Sequence, residues 1–185
     1  VSDALAGPPL YRRVLGEAWD ALPPAVRRMH ELDVTAAEGV AQVERGDHPL
    51  ARLIGTCIGV PPAGRDVPLR VSFKREGETE IWRRSFGGRS FVSRQACGRA
   101  AGLKVERFGP ITLWLAMEVE GERLRIGVRR WAAFGLPLPL SFAPVLETYE
   151  AVEDGRFVFD DDIRHPLVGR IARHRGWLEP VEDAG

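Results

Sequence analysis

Hydrophobic residues change their period once along the chain, and the change separates two kinds of element. Leu10, Val14, Leu15, Ala18 and Leu22 recur at steps of three and four, with Arg12, Arg13, Glu17 and Asp20 between them. That spacing predicts an amphipathic helix over 10–22. Pro23 and Pro24 end it, and Pro24 is suited to open a second short helix through Arg27, Arg28 and His30. A modest alternation over 39–46 predicts a first strand. His48-Pro49 then starts an apolar helix over 50–58, closed by Gly59 and a pair of prolines.

From residue 66 onward the period is two. Val67, Leu69, Val71 and Phe73 alternate with Pro68, Arg70, Ser72 and Lys74. Trp82, Arg84 and Phe86 share one face of the next strand, Gly87-Gly88 supplies a tight hairpin, and Phe91, Ser93 and Gln95 return. Leu103 and Val105 lead into a bend at 108–110. Ile111, Leu113, Leu115, Met117 and Val119 make the longest stripe, which Glu120-Gly121-Glu122 turns back into Leu124, Ile126, Val128 and Arg130. The prolines of 135–144 mark an extended crossover that cannot be a central strand. A hairpin over 145–152 and 157–163 follows, then a short helix or irregular strand over 166–174 and a final short strand over 176–180. The fold expected is α+β and mainly antiparallel β: a strongly curved sheet, or a half or closed barrel of about seven strands, wrapped around the N-terminal helices. One domain spans 10–180, with a flexible lead-in at 1–9 and a flexible tail at 181–185.

Composition limits the function classes. The 185 residues carry 26 Lys plus Arg against 26 Asp plus Glu, so formal net charge is zero. A neutral chain lacks the excess positive charge that nucleic-acid binding or a polybasic membrane-surface protein requires. No segment approaches the ~18 consecutive apolar residues of a membrane-spanning helix, and the N-terminus has no secretory-signal pattern, so a cytoplasmic location is expected. The chain starts at Val1, which suggests a fragment of a longer polypeptide or an alternative start. Cys57 sits in an apolar run and reads as a small core residue. Cys97 lies in a Gly/Ala-rich connection, and neither has a CxxC or His partner.

Polar residues on apolar stripes carry the candidate chemistry. Arg84 lies between Trp82 and Phe86, Arg130 continues the Leu124 stripe, and Asp161 lies between Phe159 and Ile163. A lone buried charge costs several kcal/mol, so these groups pair with one another, sit at an open rim or meet a ligand. Trp82, Arg84, Trp114, Arg130 and Asp161 are therefore the candidate ligand-binding residues, although alternation places Trp114 opposite the Leu113 and Leu115 stripe. Asp160 and Asp162 fall on the face opposite Asp161, where they balance Arg164, Arg170, Arg173 and Arg175. No nucleophile, acid/base or metal constellation reaches recognisable spacing, so no catalytic residue, metal or cofactor is assigned.

Several strings together carry a resemblance: LYRRVLG at 10–16, LPPAVR at 22–27, WRRSFGG at 82–88, RFGP at 107–110, RRW at 129–131 with GLPLP at 135–139, FVFD at 157–160 and GWL at 176–178. They resemble the bacterial domain of unknown function 4166 over most of the chain. That family carries no assigned activity and no catalytic residues. Its members often stand C-terminal to saccharopine-dehydrogenase-like NAD(P)-binding units, which implies a possible reductase partner. Three functions follow as expectations: a binding module for a lipid-like or acidic apolar small molecule, an accessory domain on the substrate side of a reductase, or a protein-interaction domain using an exposed edge strand or Trp131 with 136–140. The oligomeric state is left open.

Overall fold

The structure, a computed structural model, describes residues 7–31 and 33–181. The outer parts of the lead-in and tail, and Leu32, lie outside the described residues. The helices are α1 (Leu10–Leu15), α2 (Pro24–Met29) and α3 (Pro49–Cys57). The strands are β1 (Ala36–Arg45), β2 (Gly64–Glu76), β3 (Thr79–Phe86), β4 (Arg89–Cys97), β5 (Leu103–Phe108) and β6 (Ile111–Glu120), then β7 (Arg123–Ala133), β8 (Leu136–Leu138), β9 (Val145–Glu153), β10 (Arg156–His165) and β11 (Gly169–Val181).

Short glycine turns join most neighbours, so each strand returns antiparallel beside its predecessor. Two non-sequential pairings close the ring. β1 pairs with β11 along its full length, and β7 pairs with β9 through Leu124–Gly127. Because β6 also pairs with β7, ten strands form a closed barrel in the order β6-β5-β4-β3-β2-β1-β11-β10-β9-β7. β8 is an eleventh strand, added beside the last residues of β7 where β9 has diverged. The count of about seven strands is thus too low. β5 and β8 are short, and residues 166–174 with 176–180 turn out to be one continuous strand after the turn at 165–168.

The helix expected over 10–22 breaks at Gly16, whose φ of 58 places it in the left-handed region. A 3-10 turn, Gly16–Ala21, follows it. α1 and α2 lie across one end of the barrel, the end that carries the 77–78, 98–102, 121–122 and 154–155 turns. α1 packs on β4, β5 and β6, while α2 packs on β9 and β10 of the facing wall. Leu10, Tyr11, Val14, Trp19, Val26 and Met29 join Leu115, Leu124, Phe157 and Leu178 in one core. These helices are a plug. α3 belongs to the opposite end, where Ala51 and Gly55 pack on Ile171 and Ala172. Its other face is open: Leu50 and Leu53 are exposed, and so is Cys57, against the core position expected for it.

Candidate functional site

Register decides which side chains enter the barrel. Trp82 on β3 stands opposite Phe73 on β2 and Ser93 on β4, and Arg84 stands opposite Val71 and Phe91. Gln95 faces Glu106, Cys97 faces Lys104, and those two β5 residues lie across from Leu113 and Leu115. From the far wall β9 contributes Thr148 and Glu150, β10 contributes Asp161, and β11 contributes His174. A polar layer therefore crosses the interior, with the plug above and aromatic residues below.

Charge–charge and hydrogen-bond contacts account for most of this layer. Lys104 Nζ donates to Gln95 Oε1 at 2.9 Å and to the Tyr11 hydroxyl at 3.2 Å, and lies 3.3 Å from Glu106 Oε2. Gln95 Nε2 donates to Glu106 Oε1 at 3.1 Å, and Arg84 donates to Ser93 Oγ at 2.9 Å and to Glu106 at 3.4 Å. Burial pushes the Glu106 carboxyl up, but Lys104 and Arg84 outweigh it and hold the group below its ordinary value. Glu106 is thus the shared counter-ion of two cations.

The plug is tied into the same layer. His30 Nε2 lies 2.7 Å from Glu150 Oε2, and the His30 ring stacks on Tyr11 at 3.6 Å between centroids. Tyr11 in turn stacks on Trp82 at 5.7 Å. Burial raises the Tyr11 hydroxyl well above its ordinary value, so it stays protonated. On the far wall Asp161 accepts from Thr148 Oγ1 at 2.7 Å. Burial raises the Asp161 carboxyl to about 6, against the opposing pull of Thr148 and Arg84. Burial lowers His174 to about 4, and the positive Arg84 adds to the effect. His174 packs on Phe86 at 5.0 Å, and its Nε2 has no hydrogen-bond partner among the described residues.

Of the five residues expected to bind a ligand, the fold brings Trp82, Arg84 and Asp161 into this interior. It does not bring Trp114 and Arg130. A bulge in β7 sets Leu115 against Val128 but Trp114 against Arg130, so Arg129 is an extra residue and the alternation reverses. Arg130 is therefore on the outer wall, 5.0 Å over the Trp114 ring, and Trp131 takes the inward position. Asp160 and Asp162 also face outward, paired with Arg173 at 2.8 Å and with Arg164 and Arg170.

The interior residues not singled out are Tyr11, His30, Lys104, Glu106, Glu150 and His174. Glu150 could have been found, because it continues the Leu146, Thr148, Val152 alternation. Lys104 and Glu106 could not: Leu103 and Val105 made the neighbouring stripe look like the inner one.

Exposure of the inward-facing residues differs between the two ends. Of the ten partly buried hydrophobics around the main core, seven stand at the unplugged end: Val67, Phe91, Phe108, Ile111, Val128, Trp131 and Leu146. Arg84 and Asp161 lie below them and are themselves partly exposed, whereas Ser93, Gln95, Lys104 and Glu106 are buried. The mouth is thus apolar and its floor polar. Two clefts open elsewhere, neither lined by Arg84 or Asp161, although Val128 and Leu146 take part in the first. One of about 150 Å³ lies beside Arg125, Arg129, Leu140 and Glu147, and the other, of about 580 Å³, lies beside Arg45, His48 and Arg170.

The family model described as Domain of unknown function (DUF4166) matches residues 22–178. No curated protein matches the chain.

Proposed function

The chain belongs to this family of domains of unknown function, and on that premise we propose that the barrel is a binding module for an amphipathic small molecule. The apolar part of the ligand lies against Phe91, Phe108, Trp131 and Leu146 at the unplugged mouth. Its polar head, an acid or a hydroxyl, reaches Arg84 and Asp161. One observation carries the reading: an apolar mouth, partly exposed, leads to a partly exposed arginine and a carboxyl poised near pH 6. Arg84 is suited to an acidic head because its guanidinium is held from behind by Ser93 and Glu106 and so is already oriented. Asp161, when protonated, adds a donor. The plugged end supports the same direction of entry, since Tyr11, His30 and Trp82 fill it.

Titration with a dansyl-labelled medium-chain fatty acid tests the reading. Saturable binding with blue-shifted emission is expected. Arg84→Ala should weaken it at least tenfold, the loss of one charge-assisted contact. Equal binding by wild type and Arg84→Ala, or none by either, would remove the proposal.

A further inference from the structure

Exposed apolar side chains gather at one end of the barrel. Ten of the eleven large hydrophobics exposed among the described residues lie there, the exception being Val92 on the outer wall of β4. Phe134, Leu136, Leu138, Leu140, Phe142 and Val145 come from the segment around β8, with Phe134 82% and Leu136 67% exposed. Leu50, Leu53 and Ile58 come from α3 and its end, and Leu167, 72% exposed, from the turn between β10 and β11. Monomeric proteins seldom leave such a collection in water without a use for it.

The same end is basic. Its connections and the strand ends beside them, residues 45–66, 86–89, 107–111, 129–147 and 162–170, contain nine arginines against four carboxylates, and of these arginines Arg129, Arg164 and Arg170 are paired with Glu118, Asp162 and Glu44. Arg52, Arg65, Arg89 and Arg107 pair with no carboxylate among the described residues. The turns of the plugged end carry Glu76, Glu78, Glu120, Glu122, Glu153 and Asp154 together with Arg75, Arg99, Arg123 and Arg156, and Glu76, Glu78 and Glu120 are paired with cations, so that end has no such excess. The zero net charge of the chain thus leaves room for a local excess of arginine at the unplugged end. The outer wall between the ends is laced with ion pairs such as Arg173–Asp160 and Arg125–Glu118, so it is no lipid-facing apolar band.

We propose that the unplugged end docks on an anionic lipid surface, with the residues around Phe134 and Leu136 inserted below the headgroups and the arginines beside them on the phosphates. A second copy of the chain fits poorly, because a symmetric contact would set the excess arginines of one copy against those of the other. Protruding side chains from three separate segments, the β8 region, α3 and the turn before β11, suit a fluid surface better than a rigid partner's groove. Docking would place the mouth on the bilayer, yet the proposal does not rest on ligand binding and is read independently of it.

Co-sedimentation with vesicles of phosphatidylcholine, with and without phosphatidylglycerol, tests this. Binding should appear with phosphatidylglycerol and fall as salt rises. Phe134→Asp and Leu136→Asp should abolish it while Val92→Asp, a charge on the outer wall, leaves it unchanged. Arg89→Ala and Arg107→Ala should each lower partitioning roughly fivefold. Near-ultraviolet circular dichroism shows that each variant is folded, and the substituted residues are exposed. Three results would overturn the proposal: no binding to phosphatidylglycerol vesicles, binding unchanged in Phe134→Asp and Leu136→Asp, or a concentration-dependent dimer that Phe134→Asp dissociates.

Discussion

Asp161 and His174 stand opposite one another on adjacent strands and are perturbed in opposite directions by the same burial. Asp161 titrates near 6 in the folded protein, above its ordinary 3.8. Between those values the folded state holds a proton that the unfolded chain releases, so this residue lowers stability as pH rises. His174 titrates near 4 rather than 6.5. Between those values the unfolded chain takes a proton that the folded state refuses, so this residue raises stability as pH rises. The two windows nearly coincide, and the opposing contributions, each of about 3 kcal/mol, largely cancel. Urea unfolding across about pH 4 to 7 should therefore show Asp161→Asn gaining stability with pH and His174→Gln losing it. Slopes of the same sign in both variants would contradict the assignment. Glu106 gives a second test. Glu106→Gln strips the counter-ion from buried Lys104 and from the partly exposed Arg84 and should cost about 3 kcal/mol, and Lys104→Met in the same chain should return part of it. At this scale the sequence showed Trp82, Arg84 and Asp161 because each interrupts a long apolar stripe. It hid Lys104 and Glu106 because six residues of β5 are too few to tell one face from the other.

Among elements, the closing seam is the sharpest constraint. Gly39 on β1 and Gly176 on β11 both face inward, and a Cβ built on either would overlap the carbonyl oxygen of Trp177 or Val40 on the neighbouring strand. Only glycine permits that approach, which joins the first strand to the last. Gly39→Ala and Gly176→Ala should each cost about 2 kcal/mol or more in thermal or chemical unfolding, while Gly127→Ala, whose added Cβ would meet only the Leu146 carbonyl oxygen at 3.9 Å, should cost under about 0.5 kcal/mol. Equal costs would show that the seam yields. Most hairpins could be read from period-two stripes and Gly turns, since those are local signals. Closure could not, because the pairing of β1 with β11 joins residues more than a hundred apart and leaves no local trace. The β7 bulge was invisible for a related reason: one extra residue reverses every later assignment, and nothing in Val128-Arg129-Arg130 marks it.

Over the whole molecule, balanced composition conceals an ordered distribution. The plugged end, closed by Tyr11, His30 and Trp82, carries charges of both signs in pairs, and the other end is apolar and basic. A neutral total argued against a membrane-surface protein only while the charges were assumed to be mixed. No described helix is long and apolar enough to cross a membrane, and the docking proposed here needs none. The central claim is that the interior takes an amphipathic guest through this mouth. Native mass spectrometry of the purified protein, after incubation with dodecanoate, tests it most directly. The account predicts a one-to-one adduct on the folded wild type that disappears on denaturation and is at least tenfold weaker in Arg84→Ala. Bare protein mass in the wild type, or an adduct of equal abundance in Arg84→Ala, would contradict it.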